Sequence, residues 1–288
     1  MHPYAGNPQY GARSIGAILI DNGYLDPRTA DEIIQYQKAE GLRFGDAALR
    51  LGYVTAAQLQ QALSLQFKYP QLNVGETAVS PEVVAAFQPA SPVVEQLRVL
   101  RSQLLLRWLN AEVGGKALAI VSPEGGDGRS FIAANLAVIL SQLGHSTLLV
   151  DADLRRPQQQ ALFGLDGRCG LSSVLAELVE PESAVMHIPG LKGLSVLPAG
   201  PPPPNPQELL GSAGFGRLCA ALKRQFDVVI FDTPAAGRSA DYQSVARHTG
   251  GVVLLCRQGV TSVSNMRAVL GPLEGCGVTT VGAILNTY

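Results

Sequence analysis

From Pro92 onward, apolar runs of strand length alternate with longer stretches that carry helical spacing: KALAIV (116–121), STLLVD (146–151), GLSVLP (193–198), DVVIFD (227–232), GVVLLC (251–256) and TTVGAILN (279–286). Short runs that are apolar on both faces and separated by helices predict an α/β domain built on a mostly parallel sheet. Such a sheet binds its ligand beyond the carboxyl ends of its strands, so chemistry is sought in the residues that trail each run. The texture before Pro92 is different. An offset of 29 residues aligns Ile15 with Phe44, Gly16 with Gly45, Gly23 with Gly52, Tyr24 with Tyr53, Ile34 with Leu63 and Gln37 with Gln66, which is an internal repeat. Each copy reads as a short helix stopped at a glycine, then a second helix with its own start signal: Asp26 before Pro27 in the first, Thr55 with Gln58 as a capping box in the second. A small all-α tandem-repeat domain is expected over 12–68. A linker with at most one short helix is expected over 69–91, where prolines and small polar residues break the pattern, and the α/β domain fills 92–288.

Composition narrows the function classes. With 16% charged residues and a net charge of −1, no field exists to gather nucleic acid or acidic membrane non-specifically. No apolar run approaches the roughly 20 residues of a membrane span, and MHPYAGNPQYGARS has no apolar signal core, so a cytoplasmic protein without direct membrane insertion is expected. The four cysteines, Cys169, Cys219, Cys256 and Cys276, form no C-x-x-C pair and fit buried thiols better than a zinc site.

Candidate chemistry begins after the first strand, where SPEGGDGRS leads into FIAANLAVILSQLG, a helix expected to stop at Gly144. Gly125, Gly126 and Gly128 let backbone N–H groups approach phosphate oxygens, and the following helix offers its positive end. The predicted cradle is Gly125, Gly126, Asp127, Gly128, Arg129, Ser130 and Phe131. Against G-x-x-x-x-G-K-[ST] it departs twice, with Pro123 for the first glycine and Arg129 for the lysine. Two more strand ends add weight: LLVDADLRRP places Asp151 and Asp153 after one strand, and VVIFDTP places Asp232 after another. Three carboxylates at one sheet edge need compensation, which a phosphate-bound Mg²⁺ held with the Ser130 hydroxyl supplies.

DxDxR at Asp151, Asp153 and Arg155 resembles the second Walker-type motif of the bacterial protein-tyrosine kinases, relatives of the deviant-loop ATPases that position septa and plasmids. EQLRVLR has the E-x-x-R-x-x-R form at Glu95, Arg98 and Arg101, and LFGLDGRCGLSSVL, LSVLPAGPPPPNPQELL and the terminal Leu285-Asn286 follow in family order. The likeness covers 92–288 and is nearest to the EpsG-type chain-length determinant kinases of exopolysaccharide synthesis. It implies a P-loop NTPase fold of the ParA-like (SIMIBI) type, ATP and Mg²⁺ as ligands, and phosphoryl transfer to tyrosine. It also implies a homo-oligomer assembled through Glu95, Arg98 and Arg101, and recruitment to the inner membrane by a transmembrane polysaccharide co-polymerase that activates the kinase. Carried over residue by residue, Ser130 and Asp153 hold Mg²⁺, Asp232 orders its water shell, Asp151 accepts the tyrosine proton, Arg129 stands in for lysine, and Asn286 meets the adenine. Arg155 reads as a phosphate or subunit contact or as a surface salt bridge. Two alternatives stay open. A positioning ATPase has a lysine before the paired glycines, and Glu124 stands there instead. A nucleotide-gated, non-catalytic regulator is the other, because the tyrosine-rich tail of the family is absent and only Tyr242 and Tyr288 are near.

The repeat resembles the tandem N-terminal domain of type II secretion and pilus-assembly ATPases, with motif R-L-G-x-x-L-x-x-x-G followed by L-x-x-x-L-x-x-Q. The second copy keeps Arg43, Gly45, Gly52, Leu59, Leu63 and Gln66, whereas the first has Ser14 in place of arginine. A cyclic di-GMP site and a protein-docking module are the two readings.

Overall fold

The computed structural model describes residues 14–67, 70–109 and 115–287. They fall into two compact units, Met1–Gln71 and Leu72–Tyr288. Among the described residues no helix is long and apolar enough to cross a membrane.

The first unit holds α1 (Ile15–Asp21), α2 (Pro27–Glu40), α3 (Phe44–Arg50) and α4 (Ala56–Gln66). Its start and stop signals act as the repeat predicts. Asp26 accepts the Thr29 N–H at 2.9 Å, Thr55 and Gln58 form a reciprocal capping box, and Gly23 and Gly52 take left-handed φ of 71° and 72° after α1 and α3. Leu19, Ile33, Ala47 and Ala48 are fully buried at its centre.

The second unit begins with α5 (Val84–Phe87) and α6 (Pro92–Leu104), followed by a single π-helical turn over Leu105–Leu109. Then come β1 (Ala117–Val121), α7 (Arg129–Gln142), β2 (Thr147–Asp151), and three short helices, α8 (Gln159–Leu162), α9 (Leu171–Leu175) and α10 (Pro181–Ala184). The rest is β3 (Met186–His187), β4 (Leu194–Leu197), α11 (Pro206–Leu210), α12 (Ala213–Gln225), β5 (Val228–Asp232), α13 (Asp241–Thr249), β6 (Gly251–Arg257), α14 (Val263–Gly275) and β7 (Thr279–Asn286). The strands form one sheet in the order β3-β4-β2-β5-β1-β6-β7, parallel except for β3. All six predicted strands are present. The antiparallel β3 is an addition: two residues, one half-buried and one exposed, give no apolar run to read.

Alternation splits β1 between two cores. Leu118 and Ile120 face a cluster with α5, α6 and α7, while Ala117, Ala119 and Val121 face one with α12, α13 and α14. Helices therefore cover both faces, which is what strands apolar on both sides require.

The segment expected to be a linker is a packed part of this unit from Leu72 onward. Val83, Ala85 and Ala86 are fully buried, and the Ser80 N–H reaches the Leu162 carbonyl at 2.8 Å. The physical cause is Asn135 on α7, itself fully buried, which accepts the Ala85 N–H at 2.8 Å and donates to the Glu82 carbonyl at 3.2 Å. Of the cysteines, Cys219 and Cys256 are buried and Cys276 is exposed. Burial pushes the Cys219 thiol up to about 12, which makes it unreactive.

Candidate functional site

Strand order brings the sequence-predicted residues together. β5 lies between β2 and β1, so the ends of all three strands adjoin, and Asp151 and Asp232 are register partners on β2 and β5. The glycine loop leaves β1 beside them. Gly126 and Gly128 have φ of 88° and 99°, a left-handed conformation that an L side chain rarely adopts. α7 begins with no side-chain cap, so its first N–H groups have no intrahelical partner and are available to an anion. A cavity of about 410 Å³ opens here, lined by Gly125, Gly126, Gly128, Ser130 and Asp153 among others.

The carboxylates divide into two kinds. Asp153 faces the cavity, with Oδ1 accepting the Arg155 and Arg156 N–H groups at 3.2 and 2.9 Å. Asp151 is fully buried behind it and receives three backbone N–H groups, from Asp153 at 3.2 Å and from Gln158 and Gln159 at 2.9 Å each. Burial first, and the charge of Asp232 second, hold its carboxyl well above the usual range. Asp232 is also fully buried, and burial pushes it up to about 6 against the opposing pull of Ser130, Gln159 and Arg129. Asp232 Oδ1 has no hydrogen-bond partner among the described residues. Two crowded buried carboxylates, one of them with an unpartnered oxygen, beneath a glycine-loop cavity fit a divalent cation brought in with phosphate oxygens. Among the described residues no group of three His, Cys, Asp or Glu side chains makes a metal site unaided, so the phosphates would complete the shell.

Several residues are placed differently from expectation. Arg129 is buried and turned beneath the loop, where Nε donates to the Thr233 carbonyl at 2.8 Å and Nη1 donates to the Glu124 carbonyl at 2.7 Å and to the Ser122 hydroxyl. Nε and Nη1 are thus committed to acceptors from two segments, the loop and the turn after β5, although Arg129 still borders the cavity. The Asp127 carboxylate is also turned in, accepting the Glu124 N–H at 2.9 Å, so Asp127 offers a phosphate only its backbone. Asn286 donates to the Asp127 carbonyl at 2.8 Å and props the loop from β7. Arg155 forms a two-point pair with the fully buried Asp241, at 2.7 and 3.3 Å, and serves the fold. Tyr242 is buried in the core, away from any acceptor role, and Tyr288 lies outside the described residues. On α6, Arg98 pairs with Glu95 of the same helix, and Arg101 donates to the Ile139 carbonyl at 3.1 Å.

A second cavity of about 450 Å³ adjoins the first at Gly128 and Phe131, and its walls are mainly apolar: Val84, Val93, Leu97, Leu100, Ile132 and Ile284, with Asn286 at its edge. A polar cavity over a glycine loop next to an apolar one of this size suits a phosphate chain and a flat base. Sequence reasoning missed three residues here. Gln159 is fully buried and bridges the Ser130 carbonyl (3.1 Å) to Asp232 (2.8 Å), while Arg156 and Arg238 line the phosphate cavity. Arg156 follows the DxDxR motif directly and was legible in principle. Gln159 and Arg238 carry no local signal.

A family profile described as "ParA: NUBPL iron-transfer P-loop NTPase" matches residues 115–196, which contain the loop and the DxDxR motif. The tyrosine-protein kinase YwqD of Bacillus subtilis (strain 168) is 37% identical over 204 residues, covering 71% of this chain and 85% of that one. The putative tyrosine-protein kinase CapB of Staphylococcus aureus is 33% identical over 199 residues, 69% of this chain and 86% of CapB. This chain belongs to the bacterial tyrosine-kinase family. The crystal structure of the chimerical protein CapA2B2 superposes with a TM-score of 0.67 at 32% identity, covering 78% of this chain and 97% of that one. A P-loop NTPase of this family implies nucleotide binding with Mg²⁺, and the ParA-like fold is the expected one.

In the helical unit, Arg43 is the N-cap of α3 with no side-chain cap bond, Gly45 packs on Leu59 closely enough that an added Cβ would sit 2.9 Å from it, and Gln66 ends α4. A cleft of about 350 Å³ lies at the first copy, lined by Ser14, Ile15, Gly16, Ile34, Gln37, Lys38 and Phe44.

Proposed function

We propose that this protein transfers the γ-phosphoryl group of MgATP to tyrosine in the control of exopolysaccharide chain length, activated by the cytoplasmic segment of a transmembrane polysaccharide co-polymerase. The observation that carries the reading is the convergence of Asp151, Asp153 and Asp232 on an uncapped glycine loop in a chain of the tyrosine-kinase family. Phosphoryl transfer asks the protein to position and neutralise rather than to do covalent chemistry. Ser130, Asp153 and Asp232 would hold the metal, directly or through water, and the loop N–H groups would hold the phosphates. The metal, when bound, supplies charge neutralisation on the phosphates. Asp151 is the proton acceptor of this reading, and Asp153, which faces the cavity, is the alternative.

The test is intact-mass and phosphopeptide analysis after incubation with MgATP and the partner's cytoplasmic segment. Phosphotyrosine is expected in the unmodified protein and not in Asp153→Asn or Asp151→Asn. Loss in Asp151→Asn alone assigns the proton acceptor to Asp151; loss in Asp153→Asn alone assigns it to Asp153 only where Mg²⁺-dependent ATP binding is retained. ATP binding without any phosphotyrosine would replace the kinase by the nucleotide-gated regulator, a reading that the inward turn of Arg129 supports.

For the helical unit we propose protein docking rather than cyclic di-GMP binding, since Ser14 occupies the place where the motif expects a phosphate-binding arginine. Titration calorimetry with cyclic di-GMP is expected to show no heat of binding, and micromolar affinity would sink this assignment.

A further inference from the structure

The phosphate cavity contains a cation that the loop does not supply. Arg129 spends three donor contacts on carbonyl and hydroxyl groups beneath the loop. Arg238, in contrast, comes from the segment after β5 and lies directly over the loop backbone: a Cβ added to Gly125 would meet its Nη2 at 2.7 Å and its Cζ at 3.1 Å. Among the described residues no carboxylate forms an ion pair with it. Its segment is held to the loop by backbone bonds, from the Ala236 N–H to the Ser122 carbonyl and from the Gly237 N–H to the Pro123 carbonyl, both 2.9 Å. An unpaired guanidinium is thus set against a glycine by a fixed backbone, inside a cavity with free N–H donors.

The geometry also gives the cavity a direction. The apolar cavity and the phosphate cavity meet at Gly128 and Phe131, so the nucleoside end of a bound nucleotide lies there. Arg238 and Gly125 are at the other end of the loop.

We propose that Arg238 binds the terminal phosphate and makes the site discriminate nucleoside triphosphate from diphosphate, taking the part of the phosphate cation that Arg129 leaves vacant. A guanidinium is suited to this because its planar fork meets two phosphate oxygens at once. The proposal rests on the nucleotide-binding reading above and adds the residue that tells substrate from product.

The experiment measures Kd for MgADP and for a non-hydrolysable β,γ-imido triphosphate on the full chain, comparing unmodified protein with Arg238→Ala, Arg238→Lys and Arg156→Ala. Arg238→Ala is expected to weaken the triphosphate about tenfold while changing the diphosphate less than about twofold, as loss of one charge-assisted contact predicts. Arg238→Lys is expected to retain part of the preference. Arg238→Gln gives the same reading should the alanine variant lose its fold. Equal weakening of both nucleotides, no weakening of either, or a triphosphate-selective loss in Arg156→Ala alone would overturn the proposal. Failure of the unmodified protein to bind either nucleotide would instead bring down the nucleotide-binding reading, and this proposal with it.

Discussion

Asp232→Asn is expected to raise the thermal midpoint of the nucleotide-free protein by roughly 4 °C at pH 7.5 and, in the same molecule, to lower phosphoryl transfer by about a hundredfold to a thousandfold. The two effects have one cause. Asp232 is fully buried beside Asp151, with one carboxylate oxygen unpartnered, so ionising both residues costs stability. Asparagine keeps an oxygen for Gln159 and removes the charge, a gain of about 2 kcal/mol in the empty protein. It also removes a ligand from the proposed metal position. The pH dependence follows with its sign. An ordinary aspartate titrates near 3.9, whereas burial pushes folded Asp232 up to about 6. The folded state therefore binds the proton more tightly, and the contribution is fully present below about pH 4 and lost as the pH rises through about 6. Calorimetric midpoints between about pH 4.5 and 7.5 should fall more steeply for the unmodified protein than for Asp232→Asn. Parallel curves would show that the pair carries no strain.

Asn135→Ala is expected to destabilise the α/β unit by about 3 kcal/mol, which for a unit of this size is a loss of roughly 8 °C. No function need be invoked, since Asn135 lies on the core side of α7. Its amide oxygen is the acceptor of the Ala85 N–H and its nitrogen donates to the carbonyls of Glu82 and Phe131, at 3.2 and 2.9 Å. Alanine leaves a buried N–H unpaired and a void behind it, two penalties that add. Amide exchange at Ala85 should accelerate with the drop in midpoint. An unchanged midpoint would mean that residues 72–91 are held by apolar burial alone.

That prediction marks where reading the chain stopped short. The stretch 69–91 looks like a linker because YPQLNVGETAVSPE has no period, and pattern reading detects only periodic burial. What holds it is a polar hub on a helix fifty residues away, and no local signal announces a buried asparagine.

The sequence by itself determined the six strands, the glycine stops and capping residues of the helical repeat, and the carboxylates and glycine loop of the site. Strand periodicity, helix capping and left-handed turns are short-range physics, legible within a few residues. Strand order is not short-range. Only the tertiary structure set β5 between β1 and β2, and so brought Asp232 into register with Asp151. The same holds for side-chain direction. Arg129 occupies the lysine position in the sequence, yet three acceptors from separate parts of the chain turn it under the loop. Arg238, which no motif singles out, is brought over Gly125 by the backbone bonds of a loop that enters from another strand. How each cation is held beside the glycine loop is decided by long-range hydrogen-bond partners, and those exist only once the chain is folded.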